Sequence, residues 1–267
     1  MNFDLQQATA HLRTLRGSLL ANYNDEDLHQ LRVALRRMRS ALRGVPRGKA
    51  RKLRRRLGAL ARTTNDARDW DTLYTGAMEQ LRTEQFNTLE PLLHARRENA
   101  RAQVYRVFHS KQWLIALSRW DALVGKADLD AQSLSMVSGK LGTRLRRATK
   151  AADKAMAKDD DRCWHRLRIA IKELRYALDS ALEEVPARAE LLRQCKTLQA
   201  LLGNWHDTVV HRHLLDTLAR DGSLDPTTPA GKVASDLQQV LVQKGQESLE
   251  QIKHRLHRGG LGLKEPA

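Results

Sequence analysis

The chain has 267 residues, of which 41% are hydrophobic, so it is long enough to fold around a core of its own. With only 15 glycines, 6 prolines and 4% aromatic residues, the composition argues against a β-protein and favours α-helices. The 47 Lys and Arg residues outnumber the 31 Asp and Glu residues, and the resulting formal charge of +16 makes a polyanion the expected partner.

Cysteine content and hydropathy indicate where the protein resides. The two cysteines, Cys163 and Cys195, both fall in helical patterns, which argues against a disulfide framework and fits a reducing compartment. No apolar run reaches the roughly 18 residues of a membrane-spanning helix, and the amino terminus lacks the layout of a secretory signal. We therefore expect a cytoplasmic protein that has no membrane partner.

Periodic apolar residues predict α-helices along most of the chain. Pro46 and Pro186 each follow a valine and mark the end of one helix and the start of the next, because the residue before a proline avoids the α region. Residues 125–133 and 222–229 are predicted loops. In chain order, the predicted helices cover residues 3–22, 27–43, 47–64, 68–83, 87–110, 113–124, 133–157, 162–184, 187–202, 205–220 and 228–258.

An internal repeat is the most informative feature of the sequence. Residues 29–42 align without a gap on residues 165–178, and seven of the fourteen positions are identical. Acidic residues precede both segments, which suits the positive end of a helix dipole. Further along the chain, Arg68-Asp69 falls opposite His206-Asp207. The chain therefore consists of two related helical halves.

Each repeated segment carries a row of cations at helical spacing, beside an apolar stripe of the same period. One turn of a helix rises about 5.4 Å, so such a row offers about one cation per turn to an anion that lies along the helix. Guanidinium groups grip phosphate oxygens through paired N–H donors. The rows are His29, Arg32, Arg36, Arg39 and Arg43 in the first half, and His165, Arg168, Lys172 and Arg175 in the second.

Further basic residues extend these rows. Seven of the ten residues at 47–56 are Arg or Lys, and the stretch 28–62 contains thirteen Lys and Arg residues and no acid. Solvated helix faces usually mix acids with bases, because like charges one turn apart repel each other. A polyanion would relieve that repulsion. Beyond the two rows, the candidate binding residues are Lys52, Arg55 and Arg56 in the first half, and Arg146, Arg147 and Lys150 in the second.

The repeated segment resembles the CHAD family, which is named for a conserved-histidine α-helical domain. The resemblance spans essentially the whole chain and includes Arg68-Asp69-Trp70-Asp71 and Leu202-Gly203. One departure is His206-Asp207, where the family more often has Asn-Asp. The residues of the repeat that match are His29, Leu31, Arg32, Val33, Ala34, Arg36, Arg37 and Arg39, and His165, Leu167, Arg168, Ile169, Ala170, Lys172, Leu174, Arg175 and Tyr176.

This resemblance implies an all-α domain over residues 1–267, made of two antiparallel four-helix bundles related by a pseudo-twofold axis. The bundles would cover approximately residues 1–125 and 133–267. The resemblance also implies that their basic faces line a central groove or pore that binds inorganic polyphosphate, without catalysis and without a cofactor. The expected cytoplasmic location includes association with polyphosphate granules.

The two repeated histidines have alternative interpretations. His29 and His165 are potential metal ligands or phosphohistidine acceptors, but each lies among arginines, and nearby cations repel a metal ion. A hydrogen bond to phosphate or a role in helix capping or packing fits that setting better. The group His206, Asp207, His211 and His213 resembles a metal site, yet His211 and His213 are two positions apart and point to different helix faces. No metal site is therefore predicted.

Two other functions remain open at this stage. A nucleic-acid-binding protein would suit the pI of about 10.3. Single-strand binding usually adds aromatic stacking platforms, however, and neither row has an aromatic on its basic face. An enzyme of phosphate metabolism would need acidic metal ligands within the basic surface, and the sequence has no evident catalytic motif.

Overall fold

A computed structural model describes the chain over residues 5–42, 48–124, 141–179 and 186–259. Over these ranges the chain forms α-helices and no β-strand, which confirms the all-α fold class. In chain order the helices are α1 (Leu5–Ala21), α2 (Asp25–Ala41), α3 (Gly48–Thr63), α4 (Asn65–Gln80), α5 (Thr83–Phe108), α6 (Lys111–Val124), α7 (Leu141–Lys158), α8 (Asp161–Asp179), α9 (Pro186–Arg220) and α10 (Pro229–Gly259).

Contacts within the chain divide it into two compact units. The first unit holds α1 to α6 and residues 223–233, and the second holds α7, α8, α9 and the part of α10 that follows residue 233. The division into two bundles around one shared groove stays a prediction. The predicted loop at 125–133 lies outside the described residues.

One predicted helix boundary is wrong. The segments 187–202 and 205–220 form a single helix, α9, which continues through Gly203 and Asn204. Among the described glycines, only Gly222 has a positive φ, of 77°. A glycine inside a helix costs only about 1 kcal/mol relative to alanine, and without a proline nearby it does not end the helix.

Acidic residues start both repeated helices, as the sequence predicts. The Asn24 side chain accepts hydrogen bonds from the backbone N–H groups of Glu26 and Asp27, at 2.8 and 3.3 Å, and so caps α2. Asp160 Oδ1 accepts a bond of 2.6 Å from the backbone N–H of Cys163 and caps α8 in the same way. These caps satisfy backbone donors that have no partner inside the helix. They fix where each helix begins and hence where His29 and His165 lie, in the turn that follows.

The apolar stripes of the repeated helices form the cores of the two units. In the first unit α2 packs against α1, α3 and α4, and in the second α8 packs against α7 and α9. The buried residues are Leu28, Leu31, Ala34, Leu35 and Met38 of α2, and Leu42 at its C-cap. The core of the second unit includes Trp164, Leu167, Ile171 and Leu174 of α8, Ala148, Ala152 and Ala155 of α7, Leu198, Leu202 and Trp205 of α9, and Ile252 of α10.

A buried carboxylate on α4 joins that helix to α5 and to the connection between α1 and α2. Asp71 on α4 is fully buried and accepts hydrogen bonds from the Tyr23 hydroxyl at 2.7 Å, Arg97 Nε at 2.7 Å and Arg101 Nη2 at 3.2 Å. The Arg101 guanidinium also lies over the Tyr23 ring, 4.2 Å from its centroid. Burial and the bond to Asp71 raise the pKa of Tyr23. The network therefore ties the α1–α2 connection and α5 to α4.

We predict that Asp71→Asn lowers the free energy of unfolding by about 3 kcal/mol, because it leaves two largely buried guanidinium groups without their carboxylate. Glu79→Gln is the matched control, since Glu79 is exposed on the same helix and loses the same charge. Urea denaturation followed by circular dichroism measures both. Equal stability of the two variants would contradict the role of the network.

Candidate anion-binding site

The predicted row of cations on α2 lies along the flank of its buried stripe. Its described members are half-buried, whereas Arg37, the residue after Arg36, is exposed. Arg43, the last predicted member of the row, lies outside the described residues. The half-buried members are His29, Arg32, Arg36 and Arg39.

Arg32 supports the junction between α3 and α4. Its Nη1 donates hydrogen bonds to the Ala61 carbonyl oxygen at 3.2 Å, to Thr64 Oγ1 at 2.9 Å and to Asn65 Oδ1 at 2.8 Å. Thr64 is fully buried at the point where α3 ends. Because all three acceptors belong to the α3–α4 junction, Arg32 has a structural role there, beside the anion-binding role predicted from the sequence.

Arg39 lies flat against α3. A methyl group at Gly58 would come within 3.2 Å of both Cζ and Nη2 of Arg39, which is closer than such atoms normally approach. Gly58 therefore leaves the space in which the guanidinium lies. Arg36, one turn earlier, has a buried Nε atom without a hydrogen-bond partner among the described residues. Such a buried donor is costly unless another group accepts its proton.

Arg68 adds a third arginine to the group around His29, beside Arg32 and Arg36. Arg68 is half-buried on α4. Partial burial, and then the charge of Arg68, lower the pKa of His29; Arg36 and Arg32 lower it further, and Glu26 opposes them. Arg68 is not among the site residues predicted from the sequence. The signal was present, since Arg68-Asp69 is the position that the internal repeat pairs with His206-Asp207.

The second repeat places a histidine where the first has Arg68. The rings of His165 on α8 and His206 on α9 lie 5.1 Å apart between centroids, at an interplanar angle of 46°. Burial lowers the pKa of His206 to about 4, and the charges of Arg168, His165 and Lys172 lower it as well. Burial, Arg168 and Lys172 also lower the pKa of His165. Like Arg68, His206 is not among the site residues predicted from the sequence.

Acids compensate part of the charge in the second repeat. Arg175 Nε donates to Asp179 Oδ2 at 3.2 Å, and Arg147 Nη1 on α7 donates to Glu173 Oε2 at 3.2 Å. The other predicted residues of this half divide by exposure: Arg168 and Lys172 are half-buried, and Arg146 and Lys150 are exposed.

The predicted cations of α3 form an exposed face. Lys52, Arg55 and Arg56 point away from the buried Leu53 and Leu57, and within the described residues they form no ion pair. These cations therefore differ from those of α2, which are half-buried against the core. The structure brings His29, Arg32, Arg36 and Arg68 together and leaves these three cations exposed on another helix of the same unit.

The described residues contain no group of three or more His, Cys, Asp or Glu side chains that could hold a metal ion. His211, one of the histidines considered for such a site, is buried, and burial lowers its pKa to about 4, whereas His213 is exposed. Over the same residues, no helix is both long enough and apolar enough to span a bilayer.

We predict that Arg32→Met lowers the free energy of unfolding and that Arg36→Met does not. Arg32→Met removes three hydrogen bonds at the α3–α4 junction and should cost about 1.5–3 kcal/mol. Arg36→Met keeps the apolar stem and removes a buried donor, so the unfolding free energy should stay unchanged or rise. Urea denaturation of both proteins is the measurement, and an equal loss in the two variants would contradict the division of roles.

Comparisons with known proteins agree with this architecture. A family model described as CHAD domain matches residues 4–216. The crystal structure of the CHAD domain from the plant Ricinus communis is similar, with a TM-score of 0.75 and 24% sequence identity over 95% of this chain and 89% of that chain; this likeness concerns the fold. No curated protein matches the sequence. Since the family model covers most of the chain, the protein belongs to the CHAD domain family.

Proposed function

We propose that this protein binds inorganic polyphosphate without catalysing a reaction, and that the half-buried cations of its two repeats make the contacts. The observation that carries the proposal is the group formed by His29, Arg32, Arg36 and Arg68. All four side chains are half-buried, and the pKa of His29 is lowered first by burial and then by the charges of the three arginines. A polyanion is the ligand that relieves their mutual repulsion.

Hydrogen-bond chemistry supports phosphate groups as the ligand. The buried Nε–H of Arg36 has no acceptor among the described residues, and an arginine offers a planar fork of donors that matches phosphate oxygens. Arg39 is held flat over Gly58, so part of the entropy of fixing its side chain is lost before any ligand binds. The guanidinium groups of Arg36 and Arg39 bind and orient an anion, and because they stay protonated they offer neither a nucleophile nor a general base.

A ligand without bases fits better than a nucleic acid. Single-stranded nucleic acids are usually held by exposed aromatic rings on which the bases stack. All five tryptophans are buried, and they belong to the cores of the two units. They are Trp70, Trp113, Trp120, Trp164 and Trp205. The exposed basic face of α3 would also suit a nucleic acid. The experiment below must therefore distinguish nucleic-acid binding from polyphosphate binding.

The test compares long-chain polyphosphate with single-stranded DNA of matched charge, titrated into the protein at several salt concentrations. We expect polyphosphate to bind more tightly, and its affinity to fall steeply with salt, because each neutralised phosphate releases a counterion. Tighter binding of the DNA at every salt concentration would favour the nucleic-acid alternative. A nearly flat salt dependence would contradict binding along a row of cations.

We further predict that the first repeat contributes more to polyphosphate affinity. Arg36→Ala/Arg39→Ala should weaken binding more than Lys172→Ala/Arg175→Ala, although both variants lose two cations. The physical reason is that Asp179 already pairs with Arg175, whereas Arg36 has a buried donor without a partner among the described residues. One charge-assisted hydrogen bond is worth about 1.5 kcal/mol or more, so we expect a difference of about tenfold.

The control for this comparison is Arg37→Ala/Arg62→Ala, which removes two exposed cations from the first unit. It should affect affinity less than the Arg36→Ala/Arg39→Ala pair if the half-buried cations make the contacts. Circular dichroism shows whether each variant keeps its helices. A second-repeat variant that binds more weakly than the first-repeat variant would reverse the assignment.

A further inference from the structure

The two repeats differ in the side chain that faces the repeated histidine. In the first unit, burial and then the charge of Arg68 on α4 lower the pKa of His29 on α2. Arg68 carries its charge at any pH that proteins tolerate. In the second unit His165 on α8 is paired with His206 on α9, and the repeat alignment makes His206 the counterpart of Arg68. One repeat therefore holds a permanent cation where the other holds a group that can gain or lose a proton.

The surroundings of the histidine pair are basic. Arg168 and Lys172, one and two turns along α8, lower the pKa of both rings, and His165 lowers that of His206. His206 also lies beside the buried Trp205, at 6.2 Å between ring centroids. The elements α7 and α10 contribute alanine and isoleucine to the adjoining core, and among the described residues neither places a charge that shifts the two rings.

Protonation of the pair is therefore unfavourable in the protein alone and becomes favourable beside an anion. With a pKa of about 4, His206 is neutral at pH 7. A negative charge within about 4–6 Å raises the pKa of an imidazole by roughly 1–3 units. A phosphate bound next to Arg168 and Lys172 would supply that charge. Binding and proton uptake would then support each other, as linkage requires.

We propose that the second repeat binds polyphosphate together with protons taken up by the His165–His206 pair, so that its affinity rises as the pH falls toward 5. This inference rests on the proposed function and assigns a regulation to one half of the site. The first repeat differs, because Arg68 occupies the position of His206. Its charge is already present at neutral pH, and only His29 remains to titrate there.

The magnitude follows from linkage. If the bound anion raises the pKa of one ring from about 4 to about 6, the affinity increases about tenfold between pH 7 and pH 5. The stability of the free protein moves in the opposite direction. A histidine whose pKa is lowered in the folded state stabilises the fold at pH values above its unfolded-state pKa of about 6.5. This stabilisation is lost as the pH falls toward the folded-state pKa. A gain in affinity at pH 5 would thus not reflect a more stable protein.

The experiment compares the wild-type protein with His206→Arg, which gives the second repeat the residue type of the first. Polyphosphate affinity is measured at pH 7 and pH 5, and proton uptake is measured by calorimetry in buffers that differ in ionisation enthalpy. We expect the tenfold gain of the wild-type protein to shrink in His206→Arg, together with the proton uptake. Titration of the histidine ring signals by NMR should show the His206 midpoint rising when polyphosphate is added.

His213→Arg is the matched control, because His213 is exposed on the same helix and gains the same charge. It should keep the pH dependence of the wild-type protein. The reciprocal variant Arg68→His should make the pH dependence steeper, since it gives the first repeat a titratable pair. Circular dichroism at pH 5 shows that each protein is folded during the measurement.

The outcomes separate the two proposals. No binding of polyphosphate by any of these proteins at either pH would overturn the proposed function. Binding with the same pH dependence and proton uptake in the wild-type protein and in His206→Arg would overturn the proton linkage alone. An unchanged His206 midpoint in the presence of saturating polyphosphate would overturn it as well.

Discussion

Because the cations of α2 lie directly beside its apolar stripe, burying that stripe draws the cations partly out of water. Leu31, Leu35 and Met38 are fully buried, and Arg36 and Arg39 on their flank become half-buried as a consequence. Positive charges that share a low-dielectric flank repel each other more strongly than the same charges in water. The packing that stabilises each unit therefore also creates the electrostatic cost that an anion would offset.

The two repeats reduce this cost in different ways. In the first unit, Arg32 donates to backbone and side-chain oxygens at the α3–α4 junction, and Gly58 leaves space for Arg39. In the second unit, Asp179 pairs with a cation of the row, and His206 replaces an arginine by a group that is neutral at pH 7. The two units therefore differ in the charged groups that lie beside the repeated helix.

The sequence predicted the helical class and the acidic starts of the repeated helices, because these depend on local periodicity and on charge near helix ends. It did not predict that α9 continues through Gly203, since a lone glycine is compatible with both a break and a helix. The network around Asp71 was also missed. Its partners Arg97 and Arg101 lie on α5, 26 and 30 residues further along the chain, and only the packing of α5 against α4 brings them to Asp71.

The residues that the sequence left out of the candidate site, Arg68 and His206, share one cause. Both lie on helices that have no cation row of their own, so a search for periodic basic residues passes over them. Each becomes significant only through a repeated histidine: Arg68 lowers the pKa of His29, and the His206 ring lies 5.1 Å from that of His165. The repeat alignment already paired Arg68 with His206. The functional consequence of that pair depends on the charge that each side chain holds at a given pH. A permanent charge favours an anion at any pH, whereas a titratable one ties binding to the proton concentration.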